Sequence, residues 1–296
     1  MAGMSKRAMA EIEAEARRNE RQYKNALMKL VSQINRLIAG EADPSMIVAA
    51  LKTFAESKAV TEWAETSARR MITGVLASEK RSWRLAASSS MKGRAIYAAL
   101  RKELVNTPVG IAVNEIVAQN SLLIKTVPRD LAAQFSAYAQ KMQMAGARPE
   151  QIAMEMQRKA PQLAGYQVRR IARTESAKAA TALKQARSEV IGCDWYIWHT
   201  CQDERVRGYK TNPQGGHYKM EGILCRWSDP PNPEALFPYP GGKSVGPYHP
   251  GGIYNCRCIA MQIVALEDIT FPCKAHVHGK IVQIGSLNEL KSLSAA

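Results

Sequence analysis

Most of the thiol and imidazole side chains lie in one stretch of the chain, between positions 195 and 258. This stretch holds four of the six cysteines and three of the five histidines, namely Cys201, Cys225, Cys256, Cys258, His199, His217 and His249. Thiols and imidazoles together are typical of zinc sites and of nucleophilic catalysis. Both kinds of chemistry therefore need to be weighed for this stretch.

A zinc site is the first hypothesis. Cys256-x-Cys258 puts two sulfurs on one face of a regular strand, and a bend would bring both within reach of one ion. Cys201 and His217 would complete the predicted tetrahedral set, with Cys225 as a further candidate from the same loop. The alternative is that the thiols are small buried hydrophobic groups and that the histidine forms hydrogen bonds within the fold.

Two catalytic arrangements can be drawn from the same residues. Cys201 with His199 or His217 and Asp203 would form a nucleophilic triad, but the sequence lacks the local signatures of hydrolases and phosphate-binding loops. Asp203 and His217 could instead hold a divalent ion for DNA cleavage beside basic helices. Acidic residues are few and scattered here, so no catalytic residue is predicted. A metal-dependent nuclease or other DNA-processing enzyme is kept as the alternative function.

Positive charge is distributed unevenly along the chain. Residues 1–190 carry 31 basic and 17 acidic residues, whereas residues 191–296 carry 10 and 9. A basic excess of this size favours a polyanionic partner, most simply double-stranded DNA bound without sequence preference. The cations predicted to contact phosphates are Arg69, Arg70, Lys80, Arg81, Arg84, Lys92, Arg94, Arg101, Lys102, Arg169 and Arg170. The alternative is that these side chains are simply the solvated faces of helices.

The sequence gives no sign of a membrane partner. No apolar run approaches the ~18 residues that a spanning helix needs, and charged residues recur from Lys6 to Lys24, where a signal peptide would need an apolar core. We therefore expect a protein made and kept in a cytoplasm. Its cysteines should then be thiols or metal ligands rather than disulfides.

The hydrophobic periodicity predicts an α+β protein with a mostly helical N-terminal half. The C-terminal domain should contain a small antiparallel or mixed sheet with long loops. Helices are predicted over 5–39, 44–57, 61–87, 91–105, from 111 onward, 131–145, 148–159 and 166–191. Two interruptions are expected, an extended or turn segment at 119–128 and a joint at 161–165. Strands are predicted at 195–198, 257–266 and 277–284, and residues 208–252 should form a loop.

The predicted elements divide into a helical arm with basic helices over 1–110, a domain over 111–285 and a tail over 286–296. Within the domain, residues 111–191 should be helices and residues 192–285 the sheet and its long loop. The helix over 5–39 is polar on most sides of its first half. It therefore either projects toward a partner or is frayed at its start.

The order of several short motifs carries a resemblance. Ile171-Ala-Arg-Thr-Glu175 on a helix is followed by Gly192, Trp195 to Trp198, Thr200-x-x-Asp203-x-Arg205 and His217-x₄-Gly222, and the run ends with Asn255-Cys-Arg-Cys258. Over about 111–265 this resembles the phage Mu F-like minor head (head morphogenesis) protein family. The family's structural motif maps to Arg173, Thr174, Glu175, Asp203, Arg205, His217, Gly222, Asn255, Cys256 and Cys258. The segment between Arg207 and His217 is longer than the family pattern, which leaves the pairing of His217 with Asp203 open.

The resemblance implies a structural protein of a tailed phage rather than an enzyme. Members of the family are expected in few copies inside the procapsid, where they associate with the portal and aid head assembly and genome packaging or delivery. The implied partners are the portal protein, with the major capsid or scaffold protein as further candidates, and double-stranded DNA. The implied location is the capsid interior at the portal vertex, with the host cytoplasm during assembly. A host DNA-binding regulator is a weaker alternative, because no sequence-reading motif is present.

Overall fold

The computed structural model describes residues 6–88, 90, 93–101 and 108–295. Within them, the helices are α1 (Lys6–Ile38), α2 (Pro44–Glu56), α3 (Lys58–Ser88), α4 (Gly93–Arg101), α5 (Pro108–Met144), α6 (Pro149–Ile191), α7 (Pro233–Leu236) and α8 (Leu287–Ala295). The strands are β1 (Trp195–His199), β2 (Leu224–Arg226), β3 (Ile259–Gln262), β4 (Cys273–Val277) and β5 (Lys280–Ile284). The predicted α+β class, with a helical first half and a small mixed sheet, is confirmed.

The described residues fall into two compact units. One, called the mixed unit here, lies within Met1–Arg17, Val75–Val113 and Ala177–Ala296 and contains the sheet. The other, the helical unit, comprises Arg18–Gly74 and Asn114–Ser176. The boundaries fall inside α1, α3, α5 and α6. The sequence-based division at 110 and 285 follows composition rather than contacts and stays a prediction.

The helical unit is built on the apolar stripes of long amphipathic helices. In α1, residues Leu27, Leu30 and Ile34 recur at three- and four-residue spacing and are buried. Asp43 caps α2 by accepting a hydrogen bond from the Ser45 amide at 2.7 Å, as its position before Pro44 predicts.

The extended segment predicted at 119–128 is wrong, because α5 runs through it without a break. Asn120 lies inside the unit, where its amide donates to the Ile116 carbonyl and its oxygen accepts from the Tyr23 hydroxyl at 3.0 Å. Pro128 costs a helix about 3 kcal/mol. Burial of apolar side chains such as Ile124, at ~1.5–3 kcal/mol each, outweighs that cost.

The joint predicted at 161–165 is also wrong, since α6 continues through Pro161 to Ile191. Ala160, Ala164 and Val168 are buried at helical spacing on either side of the proline. A continuous helix keeps all three in the core, whereas a turn here would expose them. Tertiary burial therefore overrides the local preference of proline.

The sheet of the mixed unit has the strand order β3-β1-β2-β4-β5. Strand β1 pairs antiparallel with β2 and β3, β2 pairs parallel with β4, and β4 pairs antiparallel with β5. Two expectations are corrected: β2 lies in the predicted loop, and the strand predicted at 257–266 shortens to β3. The strand predicted at 277–284 is confirmed over β5, but a turn at His278-Gly279 separates β5 from Val277, the last residue of β4. Both turn residues have positive φ, which a continuous strand does not allow.

Each face of the sheet has its own apolar cluster, because side chains alternate along β1. Tyr196 and Trp198 face a cluster that includes Met220, Cys256 and Cys258. Trp195 faces the opposite cluster, which is closed by β4, β5 and α8. The long loop that follows β1 is therefore held against a buried aromatic surface.

Both ends of the described chain are packed. Ile12 on α1 is buried within the mixed unit, so α1 does not project as one hypothesis held. Leu290 on α8 is fully buried, and the tail is helical.

The helix predicted at 91–105 is described over Gly93–Arg101, and the rest of that prediction lies outside the described residues. None of the described helices combines the length and apolarity needed to cross a membrane.

Candidate functional site

The mixed unit brings one histidine and two cysteines together beneath β1. His217, Cys256 and Cys258 place their ligand atoms within 4.8 Å of one another, and all three side chains are buried. The His217 Nδ1 atom lies 3.4 Å from Cys258 Sγ and 3.6 Å from Cys256 Sγ. We call these three residues the thiol-imidazole cluster.

A close approach of two loop segments places His217. It begins a 3-10 helix over His217–Met220, in which Met220 is fully buried. A Cβ atom at Gly216 would lie 2.3 Å from the Pro233 carbonyl oxygen and 2.8 Å from the Phe237 ring. Glycine is therefore required for the chain to pass α7 and turn His217 inward.

The two cysteines are fixed by the segment that leads into β3. Asn255 adopts a positive φ of 56°, which bends the chain just before Cys256. The Gly251 amide donates to Cys256 Sγ at 3.3 Å. The Thr181 hydroxyl on α6 donates to the Pro250 carbonyl, so the preceding loop is anchored to a helix.

The other ring nitrogen of His217 is held by two oxygen groups. Tyr248 donates its hydroxyl to Glu234 Oε1 at 2.7 Å, so the same hydroxyl oxygen must accept from His217 Nε2 at 2.8 Å. Glu234 Oε1 itself lies 3.7 Å from Nε2. This network puts a proton on Nε2 and turns Nδ1 toward the two sulfurs.

The cluster is electrostatically asymmetric. Hydrogen bonding with Cys258 and with His217 holds the pKa of Cys256 well below its usual range, although burial opposes this. The pKa of Cys258 is raised by its hydrogen bond with Cys256 and by burial. Burial opposes protonation of His217, but hydrogen bonds to Cys256 and Glu234 outweigh it and raise the pKa.

Aromatic side chains line one side of the cluster. The Trp198 ring meets His217 edge-on, with centroids 5.6 Å apart and an interplanar angle of 87°. Trp198 is fully buried and Tyr248 nearly so. The polar atoms of the cluster therefore lie in a medium of low dielectric constant, where their mutual interactions are strong.

Two of the predicted metal candidates lie outside the cluster. The Cys201 thiol donates to the Arg257 carbonyl at 3.4 Å, and burial raises its pKa to about 11. The buried Cys225 thiol donates to the Ile223 carbonyl at 3.7 Å. The four-residue set expected from the sequence thus reduces to three residues in the structure.

The residues of the two hypothetical catalytic arrangements, the nucleophilic triad and the divalent-ion site, have other partners in the structure. Asp203 accepts hydrogen bonds from both terminal nitrogens of Arg257, which lower the pKa of Asp203. His199 lies between two carboxylates, with Nε2 at 2.9 Å from Glu13 and Nδ1 at 3.0 Å from Glu221. Glu13 is 186 positions away in sequence, and no local signal could have revealed this contact.

The remaining residues of the predicted motif have structural partners. In the helical unit, Arg173 pairs with Glu20 at 3.1 Å, and Thr174 and Glu175 are buried. In the mixed unit, the Arg205 amide donates to Asp203. There, Gly222 has a positive φ of 75° and donates its amide to the Trp198 carbonyl.

The described cations of the basic segments differ in exposure. Arg69, Arg70, Arg169 and Arg170 are exposed in the helical unit, and Arg81, Arg84 and Arg94 are exposed in the mixed unit, where Lys80 is half-buried. Arg81 is paired with Glu15 at 3.0 Å. Lys92, Lys102 and the side chain of Arg101 lie outside the described residues.

Two further cations of α6 are buried. Lys184 and Arg187 are each 1% exposed. The Lys184 ammonium pairs with Glu79 at 3.6 Å and donates to the Ala260 carbonyl at 2.9 Å. They are structural residues of the mixed unit and do not face a phosphate backbone.

Comparison with known proteins supports the resemblance. Residues 136–261 match the family described as "Phage Mu protein F like protein", which confirms the resemblance for this segment. A stretch of 94 residues, 32% of this chain, is 32% identical to an uncharacterized protein of Haemophilus influenzae and spans 17% of that protein's length. No solved structure matches the chain.

Proposed function

We propose, from the match of residues 136–261 to the phage Mu F-like family, that this chain is a structural head morphogenesis protein of a tailed phage. It acts inside the procapsid, where it associates with the portal and contacts packaged DNA. The major capsid or scaffold protein is a further partner during assembly. The family match is the observation that carries the proposal, because it covers both α6 and the thiol-imidazole cluster.

Head assembly is tested in a phage or prophage that carries the gene. We expect the protein in purified virions at few copies, and we expect a stop codon early in the gene to reduce DNA-filled heads. Complementation with the intact chain should restore them. Normal yields of filled, infectious heads from the stop-codon phage would refute a role in morphogenesis.

The DNA contact is supported by exposed cations on the helices of each unit. In the mixed unit, Arg84 on α3 and Arg94 on α4 are exposed. Long cations on helices can neutralise phosphates without reading bases. Binding should then weaken steeply with salt, by about 0.9 in log–log slope for each phosphate contact.

The DNA contact is tested by fluorescence anisotropy with a random duplex between about 50 and 200 mM salt. The double variant Arg84→Gln/Arg94→Gln should weaken binding and reduce the salt slope by up to about two. Lys58→Gln is the matched control, because Lys58 is exposed but pairs with Glu62 at 3.6 Å. Binding that is absent at low salt or insensitive to salt contradicts the proposal.

The nuclease alternative receives no support from the ligand chemistry. Nucleases that use Mg²⁺ bind it through carboxylate oxygens, whereas the metal-capable group found among the described residues is one imidazole and two thiols. Asp203 is engaged by Arg257 and His217 is 2% exposed. The cluster therefore offers no carboxylate site for the magnesium ion of a nuclease.

A further inference from the structure

We propose that the thiol-imidazole cluster binds one zinc ion, with His217 Nδ1, Cys256 Sγ and Cys258 Sγ as ligands and a water molecule in the fourth position. The proposal is independent of the phage function, because it rests on the geometry of three side chains. Among the described residues, no other His, Cys, Asp or Glu joins this group. Three protein ligands and one solvent ligand complete a tetrahedron.

The distances within the cluster fit a tetrahedral ion. Zinc binds sulfur at about 2.3 Å and histidine nitrogen at about 2.0–2.1 Å, so a tetrahedral site separates ligand nitrogen and sulfur by roughly 3.5 Å. The observed separations from His217 Nδ1 are 3.4 Å to Cys258 and 3.6 Å to Cys256. Both sulfurs lie at nearly equal distances from Nδ1, as two sulfur ligands of one zinc ion would. A hydrogen bond alone would not require this, because the single lone pair of Nδ1 accepts from only one thiol.

The surroundings prepare His217 as a ligand. Metal-binding histidines usually donate their second ring N–H to a carboxylate or another oxygen group, which fixes the tautomer and the ring orientation. Here the Tyr248 hydroxyl accepts a hydrogen bond from Nε2 and donates one to Glu234. This relay leaves Nδ1 free to coordinate, as a zinc ligand must be.

The sulfur side is prepared as well. The Gly251 amide donates to Cys256 Sγ at 3.3 Å, a contact that stabilises a thiolate. Paired thiolates with an imidazole are soft ligands that select zinc over magnesium or calcium. Zinc binds both sulfurs as thiolates, so a proton that remains on either ligand sulfur is released to solvent on binding.

The ion would join two distant parts of the loop. His217 and Cys256 are 39 positions apart. Cys258 directly precedes β3, which pairs with β1. Zinc would therefore tie the 3-10 helix to the central strands and order the long loop between them.

The first test is the metal content of the full chain, purified under reducing conditions without a metal-binding tag. We expect about one zinc per chain by elemental analysis. We also expect cobalt substitution to produce the visible absorption of a tetrahedral, thiolate-bound ion. Cys256→Ser, Cys258→Ser and His217→Asn should each lose zinc, whereas Cys225→Ser and Cys201→Ser should retain it.

The cobalt spectrum of the unaltered chain covers the case in which the ligand variants do not fold. Spectra that show two thiolate ligands, and displacement of cobalt by one equivalent of zinc, support the site. Failure of the folded chain to bind either metal after reduction overturns it. Full zinc retention in the Cys256→Ser and Cys258→Ser variants also overturns it.

Discussion

The buried ion pair between α3 and α6 offers the sharpest test of the fold. Lys184 and Glu79 are 1% and 5% exposed, and the ammonium also donates to Ala260 on β3. Replacing Lys184 with Met removes the cation but leaves the carboxyl group buried. Removing one partner of a buried pair costs about 3–5 kcal/mol, so Lys184→Met should lose that much stability at neutral pH.

The loss should depend on pH in a defined direction. Burial already raises the pKa of Glu79. The positive charge of Lys184 opposes this shift, so its removal should raise the pKa of Glu79 in the folded state further. A raised folded-state pKa means that stability falls as pH rises from the unfolded value of about 4.3 to the folded value. The slope can reach about 1.4 kcal/mol per pH unit, or roughly 2.7 kcal/mol between pH 5 and pH 7. The buried Arg187 reduces this upper limit, because its charge favours the carboxylate.

Urea unfolding followed by circular dichroism at pH 5 and pH 7 measures both effects. The double variant Glu79→Gln/Lys184→Met should lose the extra pH dependence, because no buried acid remains. Arg170→Met, a change at an exposed cation on the same helix, should alter stability by less than about 0.5 kcal/mol. A single variant that is as stable as the parent at pH 7, or equally destabilised at both pH values, would refute the buried-pair reasoning.

Three further predictions concern the loop and its anchors. The hydrogen bond to Glu221, together with that to Glu13, raises the pKa of His199 despite burial, so His199 adds stability below about pH 6.5 that is lost as pH rises through its folded pKa. His199→Gln should therefore differ from the parent more at pH 6 than at pH 8 in urea unfolding, and an equal difference would contradict this. Gly216→Ala should destabilise the chain by about 1–3 kcal/mol through its clash with Pro233, measured by thermal unfolding, whereas Gly285→Ala, whose added Cβ meets nothing closer than 3.5 Å, should cost much less. Glu234→Gln should weaken zinc binding about 10- to 100-fold in a chelator competition, and an unchanged affinity would remove its supporting role.

The sequence predicted some residues of the candidate site and missed others. The thiols of the Cys-x-Cys motif and His217 could be named from residue type, because few side chains other than thiols and imidazoles bind soft metals. Sequence could not separate Cys201 from the cluster, since all the loop thiols are chemically equivalent until the chain is folded. Glu234 and Tyr248 had no signal at all, because a supporting hydrogen bond has no characteristic spacing.

Local sequence patterns are sufficient to predict the class of the fold and most of its helices. The apolar stripe of α1, the Asp43-Pro44 start of α2 and the aromatic run of β1 are local patterns, and local patterns suffice where each residue's burial follows its own periodicity. The family resemblance likewise followed from the order of short motifs and was confirmed over 136–261.

Long-range packing sets the features that local patterns do not predict. It carried α5 through Pro128 and α6 through Pro161, because buried apolar contacts outweigh one lost backbone hydrogen bond. It also paired Glu13 with His199 across 186 positions and turned His217 toward two sulfurs. These contacts depend on which surfaces meet when distant segments pack, and no periodicity within a segment encodes its partner.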